Sequence, residues 1–240
     1  MKIYNRILEN QDSGKKQLSV LIDPDKSSVS KIVEICSIAN ACKVDFFFIG
    51  GSLITNDTIE LCIKTLKQHS DIPVVIFPGN TMQVTKEADG ILFLSLISGR
   101  NAEMLIGKHV IAAPYIKQYG LETIPTGYML IESGRPTTAL YMSNTMPIPH
   151  DKNDIAVCTA MAGEMLGLKM IYMDAGSGAM QHISLSMIEK VKRNINIPLI
   201  IGGGIRTAEV SSEIYAAGAD MIVIGNAVEN RAELIGEIRR

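Results

Sequence analysis

The residues of this chain that could do chemistry stand at the ends of short apolar runs. Residues 197–201 stop at Gly202, Gly203 and Gly204, a helical segment follows, and a second run, 221–224, stops at Gly225 and Asn226. Glycine lets an anion approach backbone N–H groups with no Cβ in the way. In a parallel α/β fold the ligand lies on the side where the strands end. An isolated Gly-Gly-Gly reads first as a strand-to-helix turn. Two neighbouring strands that both end in glycine instead suit a phosphate cradle, because barrels often hold a phosphate at the loops after strands seven and eight. A further apolar run, 169–173, leads into Asp174, Ala175, Gly176, Ser177 and Gly178, adding a carboxylate and a hydroxyl to the same kind of loop.

The front of the chain ends its strands differently. Residues 18–22 run into Asp23, Pro24, Asp25 and Lys26, and residues 44–49 run into Gly50, Gly51 and Ser52. Carboxylate and hydroxyl oxygens at neighbouring strand ends suit a hard cation such as Mg²⁺, which bridges substrate phosphates. Asp23 before a helix start could equally be a helix cap, and Ser52 on the next strand favours the metal reading. Glu132, after the fifth run, is expected at the same mouth.

Elements that would position these groups follow from the apolar periodicity. Residues 1–16 read as an amphipathic helix with Ile3, Ile7 and Leu8 at helical spacing, covering the closed end of the fold. Ser27 or Ser28 caps a helix with Val29, Ile32, Val33 and Ile35 on one side, and Ile59, Cys62, Ile63 and Leu66 mark the next. Strands are expected at 73–77, 90–96 and 127–131, and helices at 156–166 and 185–192. Only about a dozen residues separate the third and fourth strands, near the lower limit for a crossover helix, so the third helix is expected to be missing or rudimentary. A helical stretch at 102–119 is expected to be interrupted by Pro114. Residues 133–153 are expected to be irregular, as a lid or binding loop. Eight continuously apolar strands suit a parallel sheet covered on both faces. Residues 1–240 therefore read as one (β/α)8 barrel domain, with an open doubly wound sheet as the competing architecture.

Bulk composition narrows the function classes. The 240 residues are 47% hydrophobic with a net charge of −2 and no basic block, which argues against nucleic acid as a partner. No apolar run reaches the roughly 18 residues that span a bilayer and the N-terminus lacks an apolar signal core, so a cytoplasmic location is expected. Cys36, Cys42, Cys62 and Cys158 have neither CxxC pairing nor a histidine at metal-site spacing and read as buried reduced thiols. Of the scattered histidines, only His150, in the polar loop, draws interest.

Five segments taken together are more specific than any one of them. LIDPDK (residues 21–26), IGGS (49–52), YMDAGSG (172–178), GGGI (202–205) and IGN (224–226) occur in register along nearly the whole chain. The combination resembles the geranylgeranylglyceryl phosphate synthase family, and the AGSG form looks like the second of its two groups. The resemblance implies a (β/α)8 barrel with irregular chain in place of the third helix. It implies Mg²⁺-dependent transfer of a polyprenyl group, geranylgeranyl being the expected one, from its pyrophosphate to the 3-hydroxyl of sn-glycerol 1-phosphate, giving an ether-lipid precursor. Carried over by position, it implies Mg²⁺ at Asp23 and Ser52. It implies glycerol phosphate at Tyr172, Met173, Asp174, Ala175, Gly176, Ser177, Gly178, Gly203, Gly204, Gly225 and Asn226.

The family motif commonly reads Tyr-x-Glu, its carboxylate taking the proton of the attacking hydroxyl. Here that catalytic position is Asp174, one methylene shorter, which must still come within about 2.6–3.2 Å of the proton it removes. A lysine found near the first-strand motif in some members is replaced by Leu21. The aspartate-rich DDxxD motif of chain-elongating prenyl synthases is absent. A polyprenyl tail needs an apolar groove, expected along residues 91–96 and the 105–119 helix. The expected partners are thus sn-glycerol 1-phosphate, a polyprenyl pyrophosphate, a transient membrane contact for the lipid product, and copies of the chain in a homo-oligomer. The rival readings are another phosphate-binding barrel enzyme acting on a small phosphorylated metabolite, a non-catalytic phosphate-binding barrel, and an oligomer-forming scaffold.

Overall fold

The computed structural model describes residues 2–56 and 58–239; Met1, Asp57 and Arg240, and the parts of the expected first helix and domain that fall on them, lie outside the described residues. Eight parallel strands close into a barrel in sequence order: β1 (Gln17–Ile22), β2 (Phe46–Ile49), β3 (Val74–Ile76), β4 (Gly90–Leu96), β5 (Glu122–Leu130), β6 (Met170–Asp174), β7 (Leu199–Gly202) and β8 (Met221–Ile224), with β1 paired to both β2 and β8. Closure satisfies the backbone of every strand and rules out the open sheet.

The apolar runs are continuous because both faces of each strand are buried. Alternate residues point into the barrel or out toward the helices. Phe46, Phe48, Val75, Tyr172, Ile200, Met221 and Val223 pack inside, whereas Phe47, Ile49, Val74, Ile76, Ile171, Met173, Leu199 and Ile201 form the layer between barrel and helices. Helix α1 (Ile3–Asp12) closes the end opposite the mouth. Ile3 and Ile7 plug the interior cluster, and the Ile3 and Tyr4 N–H groups donate to the Glu122 carboxylate at 2.7 and 2.9 Å. Each buried isoleucine of this plug is worth about 1.5–3 kcal/mol.

Helices α2 (Val29–Ala41) and α3 (Ile59–His69) follow β1 and β2. Ser28 caps α2 by accepting from the Lys31 N–H at 3.3 Å, so Asp23 is not the cap. The buried face of α2 is Ile32, Ile35, Cys36 and Ala39; the expected Val29 is exposed. Between β3 and β4 the only regular turn is a 3-10 piece, Thr81–Gln83, as the short spacing required. Gln83 is buried there and clamps two strand-end loops, accepting from Gly79 N–H at 3.0 Å and donating to Gly51 O at 2.8 Å.

Three further expectations need correction. Pro114 does not interrupt its helix: a π-helical turn, Glu103–Gly107, precedes α4 (Lys108–Tyr119), which runs through Pro114. Pro114 lies on the exposed face, where water can serve the carbonyl that loses its N–H partner. Strand β5 begins five residues earlier than the apolar run, because Glu122 to Pro125 pair with β4 alone. Pro125 costs little there: it precedes the first β5–β6 pair, and its carbonyl still accepts from the Lys169 N–H at 2.8 Å. Among the cysteines, Cys36 and Cys62 are buried, with burial pushing both thiols up to about 11, but Cys42 is partly exposed and Cys158 exposed. The chain continues with α5 (Thr138–Ser143), α6 (Asn153–Met165), α7 (Leu185–Arg193), α8 (Ala208–Ala216), α9 (Asn226–Asn230) and α10 (Leu234–Arg239). Among the described residues no helix is long and apolar enough to cross a membrane.

Candidate active site

The strand ends converge on a mouth whose cavity is about 720 Å³ and which brings the front and back motifs together: Asp23, Ser52, Asp174, Gly203 and Asn226 all line it. Its back half is made of backbone. Gly176, Gly178, Gly203 and Gly204 all have positive φ, between +73° and +87°. A Cβ on Gly203 would fall 2.7 Å from the Gly176 nitrogen, and one on Gly204 would fall 2.6 Å from Gln181 O, so the loops after β6 and β7 pack closer than any side chain permits. Ser177 Oγ donates to Asn226 Oδ1 at 3.0 Å, tying the β6 loop to the start of α9. Gly202, at the end of β7, leaves room for the Tyr172 ring, whose hydroxyl a Cβ there would strike.

Strand alternation divides the motif of residues 172–178. Tyr172 and Asp174 face the mouth, while the Met173 and Ala175 side chains lie in the layer between barrel and helices, leaving only their backbone for a ligand. Tyr172 is only 1% exposed and stacks edge-on with Tyr128 and tilted against Phe77, forming an aromatic floor with centroids 5.3–5.7 Å apart. Above it, Asp174 is buried with both oxygens directed: Oδ2 accepts from the Tyr128 hydroxyl at 2.5 Å and Oδ1 from the Gly176 N–H at 2.8 Å. Burial pushes its carboxyl above the usual carboxylate range, against the pull of those two donors. Burial and the Asp174 charge push the Tyr128 phenol well above its ordinary value, so it stays a donor. A carboxylate made more basic by burial, held at an anion cradle, is suited to removing a proton from a hydroxyl seated there.

The front half is made of side chains. Asp23 is partly buried over Gly51, where a Cβ would lie 3.6 Å from its carboxylate. Asp25 is committed elsewhere: it accepts from Thr55 N–H at 2.6 Å, Thr55 Oγ1 at 2.9 Å and Asn56 N–H at 3.2 Å, and these donors lower its pKa. It braces the β2 loop. Asp23 Oδ2 carries the Lys26 ammonium at 2.5 Å, so a cation already neutralises it. One carboxylate and one hydroxyl facing an open mouth fit a cation that keeps several waters and draws its remaining oxygens from substrate. Among the described residues no group of three or more His, Cys, Asp or Glu could hold a metal by itself.

A second, apolar depression of about 110 Å³ adjoins the mouth. Its walls include Ile91, Phe93, Leu94 and Leu96 of β4 and Ala112 and Ile116 of α4, and its edge is the start of the β3–β4 crossover, Pro78 to Thr81, which has no α-helix. Ser52, Phe77, Tyr128 and Ala139 line both spaces, so groove and mouth are continuous.

Several residues at the mouth carried no signal in the sequence. Tyr128 replaces Glu132 as the contribution of β5: Glu132 is exposed and anchors its own loop, its N–H on Ile148 O at 2.9 Å and its carboxylate accepting weakly from His150 N–H. His150 likewise serves that loop, its Nε2 lying 3.2 Å from His182 O. The loop of residues 133–153 holds the short α5, capped by Thr137, and is tied back by the Ile131 to Ile148 bridge. It brings Arg135 against Gly178 and Thr137 against Gly176. Arg206 reaches from the β7 loop to Ala179 O at 2.5 Å. Glu229 of α9 is half-buried beside Asp23 and Lys26, and burial raises its pKa. The inward parity of Tyr128, paired with Tyr172, was readable once β5 and β6 were in register.

Known proteins resemble the chain over its whole length. The PcrB family pattern matches residues 11–239. The geranylgeranylglyceryl phosphate synthase of Chitinophaga pinensis is 52% identical over 99% of this chain and 94% of its own. That of Methanosphaera stadtmanae is 40% identical over 100% and 97%. The crystal structure of (S)-3-O-geranylgeranylglyceryl phosphate synthase from Thermoplasma acidophilum, in complex with sn-glycerol-1-phosphate, superposes with a TM-score of 0.94 at 32% identity, covering 100% of this chain and 97% of that one.

Proposed function

The chain belongs to the PcrB family, and from that premise we propose that it is a prenyltransferase of the geranylgeranylglyceryl phosphate synthase type. It would join a polyprenyl group, supplied as its pyrophosphate, to the 3-hydroxyl of sn-glycerol 1-phosphate. The observation that carries this reading is the continuity of three environments at one point: a backbone anion cradle, a buried carboxylate, and an apolar groove sharing Ser52 and Tyr128 with the mouth. A barrel acting on a small phosphorylated metabolite needs the first two and has no use for the third.

In this reading Gly176, Gly178, Gly203, Gly204 and Asn226 hold the phosphate of the acceptor. Asp174, held by Tyr128 and Gly176, takes the proton as the glycerol oxygen attacks the allylic carbon and the carbon–pyrophosphate bond breaks. The groove between β4 and α4 orients the tail. Asp23 and Ser52 would hold Mg²⁺, which supplies positive charge to the departing pyrophosphate. A homo-oligomer belongs to the same reading, supported by the exposed Ile106, Val110, Ile111 and Tyr115 on the outer face of the π turn and α4; a monomeric mass by light scattering would remove it.

The test is direct. Purified protein with Mg²⁺ and sn-glycerol 1-phosphate should form radiolabelled ether product from prenyl pyrophosphates somewhere in the series from geranyl to heptaprenyl, and no product across the series would overturn the reading. Asp23→Asn should remove turnover while calorimetric binding of glycerol phosphate stays largely intact; equal loss of both would put Asp23 in the acceptor half.

A further inference from the structure

Of the charged side chains of the mouth that the preceding scheme leaves without a task, Lys26 is the one that sits on Asp23. Its Nζ donates to Asp23 Oδ2 at 2.5 Å, and the other Asp23 oxygen accepts from the Asp25 N–H at 3.1 Å. Both oxygens of Asp23, the carboxylate proposed for the divalent cation, therefore already have a donor. Asp25, the obvious alternative partner, is bound to Thr55 and Asn56. A second acid lines the same cavity: Glu229, carried in from the end of the barrel by α9. Lys26 and the carboxylates of Asp23 and Glu229 thus line one cavity, with the ammonium on Asp23. The Lys26 side chain is 51% exposed and sits on the turn before α2, where its own N–H bonds Asp23 O at 3.1 Å, so the stem can swing into the mouth without disturbing a strand or helix.

Two positive charges on one carboxylate repel, and a pyrophosphate brings more negative charge than one divalent cation neutralises. We propose that Lys26 occupies Asp23 in place of the divalent cation until that cation arrives, then swings onto the pyrophosphate of the donor, while Glu229 keeps its ammonium at the mouth. The assignment rests on the proposed roles of Asp23 and Ser52. Lys26 is then both a competitor of the free metal and a ligand of the metal-bound donor. Removing it has effects of opposite sign on the two.

The experiment titrates full-length protein with Mn²⁺ alone, followed by its paramagnetic resonance signal, and then with inorganic pyrophosphate at saturating Mn²⁺, followed by calorimetry. Lys26→Gln should bind Mn²⁺ alone about three-fold to five-fold tighter, the effect of losing an exposed ion pair. It should bind pyrophosphate about ten-fold to a hundred-fold weaker, the effect of losing a charge-assisted hydrogen bond. Lys26→Arg should restore most of the pyrophosphate affinity. Glu229→Gln, which removes one of the acids lining the mouth with Lys26 and leaves its ammonium more firmly on Asp23, should weaken Mn²⁺ binding. Weaker Mn²⁺ binding in Lys26→Gln would make the lysine a scaffold for Asp23 and overturn the proposal, and so would unchanged pyrophosphate affinity. Ether-product formation by the unmodified protein reports separately on the prenyltransferase reading. Product with no effect of Lys26→Gln on either ligand defeats the Lys26 assignment alone. Opposite-signed effects without product leave Lys26 its role and defeat the choice of reaction.

Discussion

The two halves of the mouth are built from different materials. Behind β6, β7 and β8 the site is backbone, folded so tightly that Gly203 and Gly204 leave no space for a methyl group. Ahead of β1 and β2 it is side chain: Asp23, Lys26 and Ser52, joined by Glu229 of α9, all partly exposed, with Lys26 paired to Asp23. A backbone cradle is rigid and needs no reorganisation when an anion enters, which suits the partner that must be held still. A cluster of side-chain charges can rearrange around a metal and a leaving group. Asp174 stands between the halves, fixed by a tyrosine from β5 and an N–H from the cradle.

The contrast can be broken most severely at Asp174. Asp174→Asn should lower turnover by about 10²-fold to 10⁴-fold, the range for loss of a general base, with glycerol phosphate binding changed only slightly. Because burial raises the folded pKa of this carboxyl, its ionised form is disfavoured in the folded state. That cost is present above the folded pKa and absent at low pH. The variant should therefore melt at the same temperature or higher at neutral pH; a clear fall in melting temperature would make Asp174 a structural residue.

Gly203→Ala attacks the cradle alone. The new Cβ forces apart the β6 and β7 loops, and displacing two N–H contacts to a phosphate at about 1.5 kcal/mol each corresponds to about a hundred-fold loss of acceptor affinity. Mn²⁺ affinity at the front half should be untouched, and parallel loss of both would show that the halves are one unit.

The mildest change sharpens the comparison by moving the hinge between them. Tyr128→Phe removes a donor that favours the Asp174 charge, so the carboxyl rises further and the acid limb of the pH–rate profile should shift upward. Turnover at neutral pH should fall only about three-fold to ten-fold, the net scale of one ordinary hydrogen bond, because the Gly176 N–H still holds the carboxylate. An unmoved limb would assign it to another base.

Much of this was legible because parallel barrels write their topology into the chain. Both faces of every strand are covered, so FFFI and IPLII are apolar without alternation, and the loops that follow must share one mouth. Strand-end glycines were legible because positive φ and close packing leave few alternatives to that residue. The twelve-residue spacing before β4 disclosed the missing helix by length alone. Pro114 and the early start of β5 were misread because propensity is local, whereas solvent on one helix face and pairing to a single neighbour are tertiary conditions.

By itself, then, the sequence determined which residues would meet: eight strand ends, the glycines between them, and the carboxylates beside them. Only the tertiary structure decided what each does. It turned Asp174 inward and Met173 outward by strand parity, committed Asp25 to Thr55 while leaving Asp23 to Lys26, and set Tyr128 rather than Glu132 against the base. Periodicity and length are properties of neighbours along the chain. Hydrogen-bond partners and burial depend on residues tens to hundreds of positions away, and folding alone selects them.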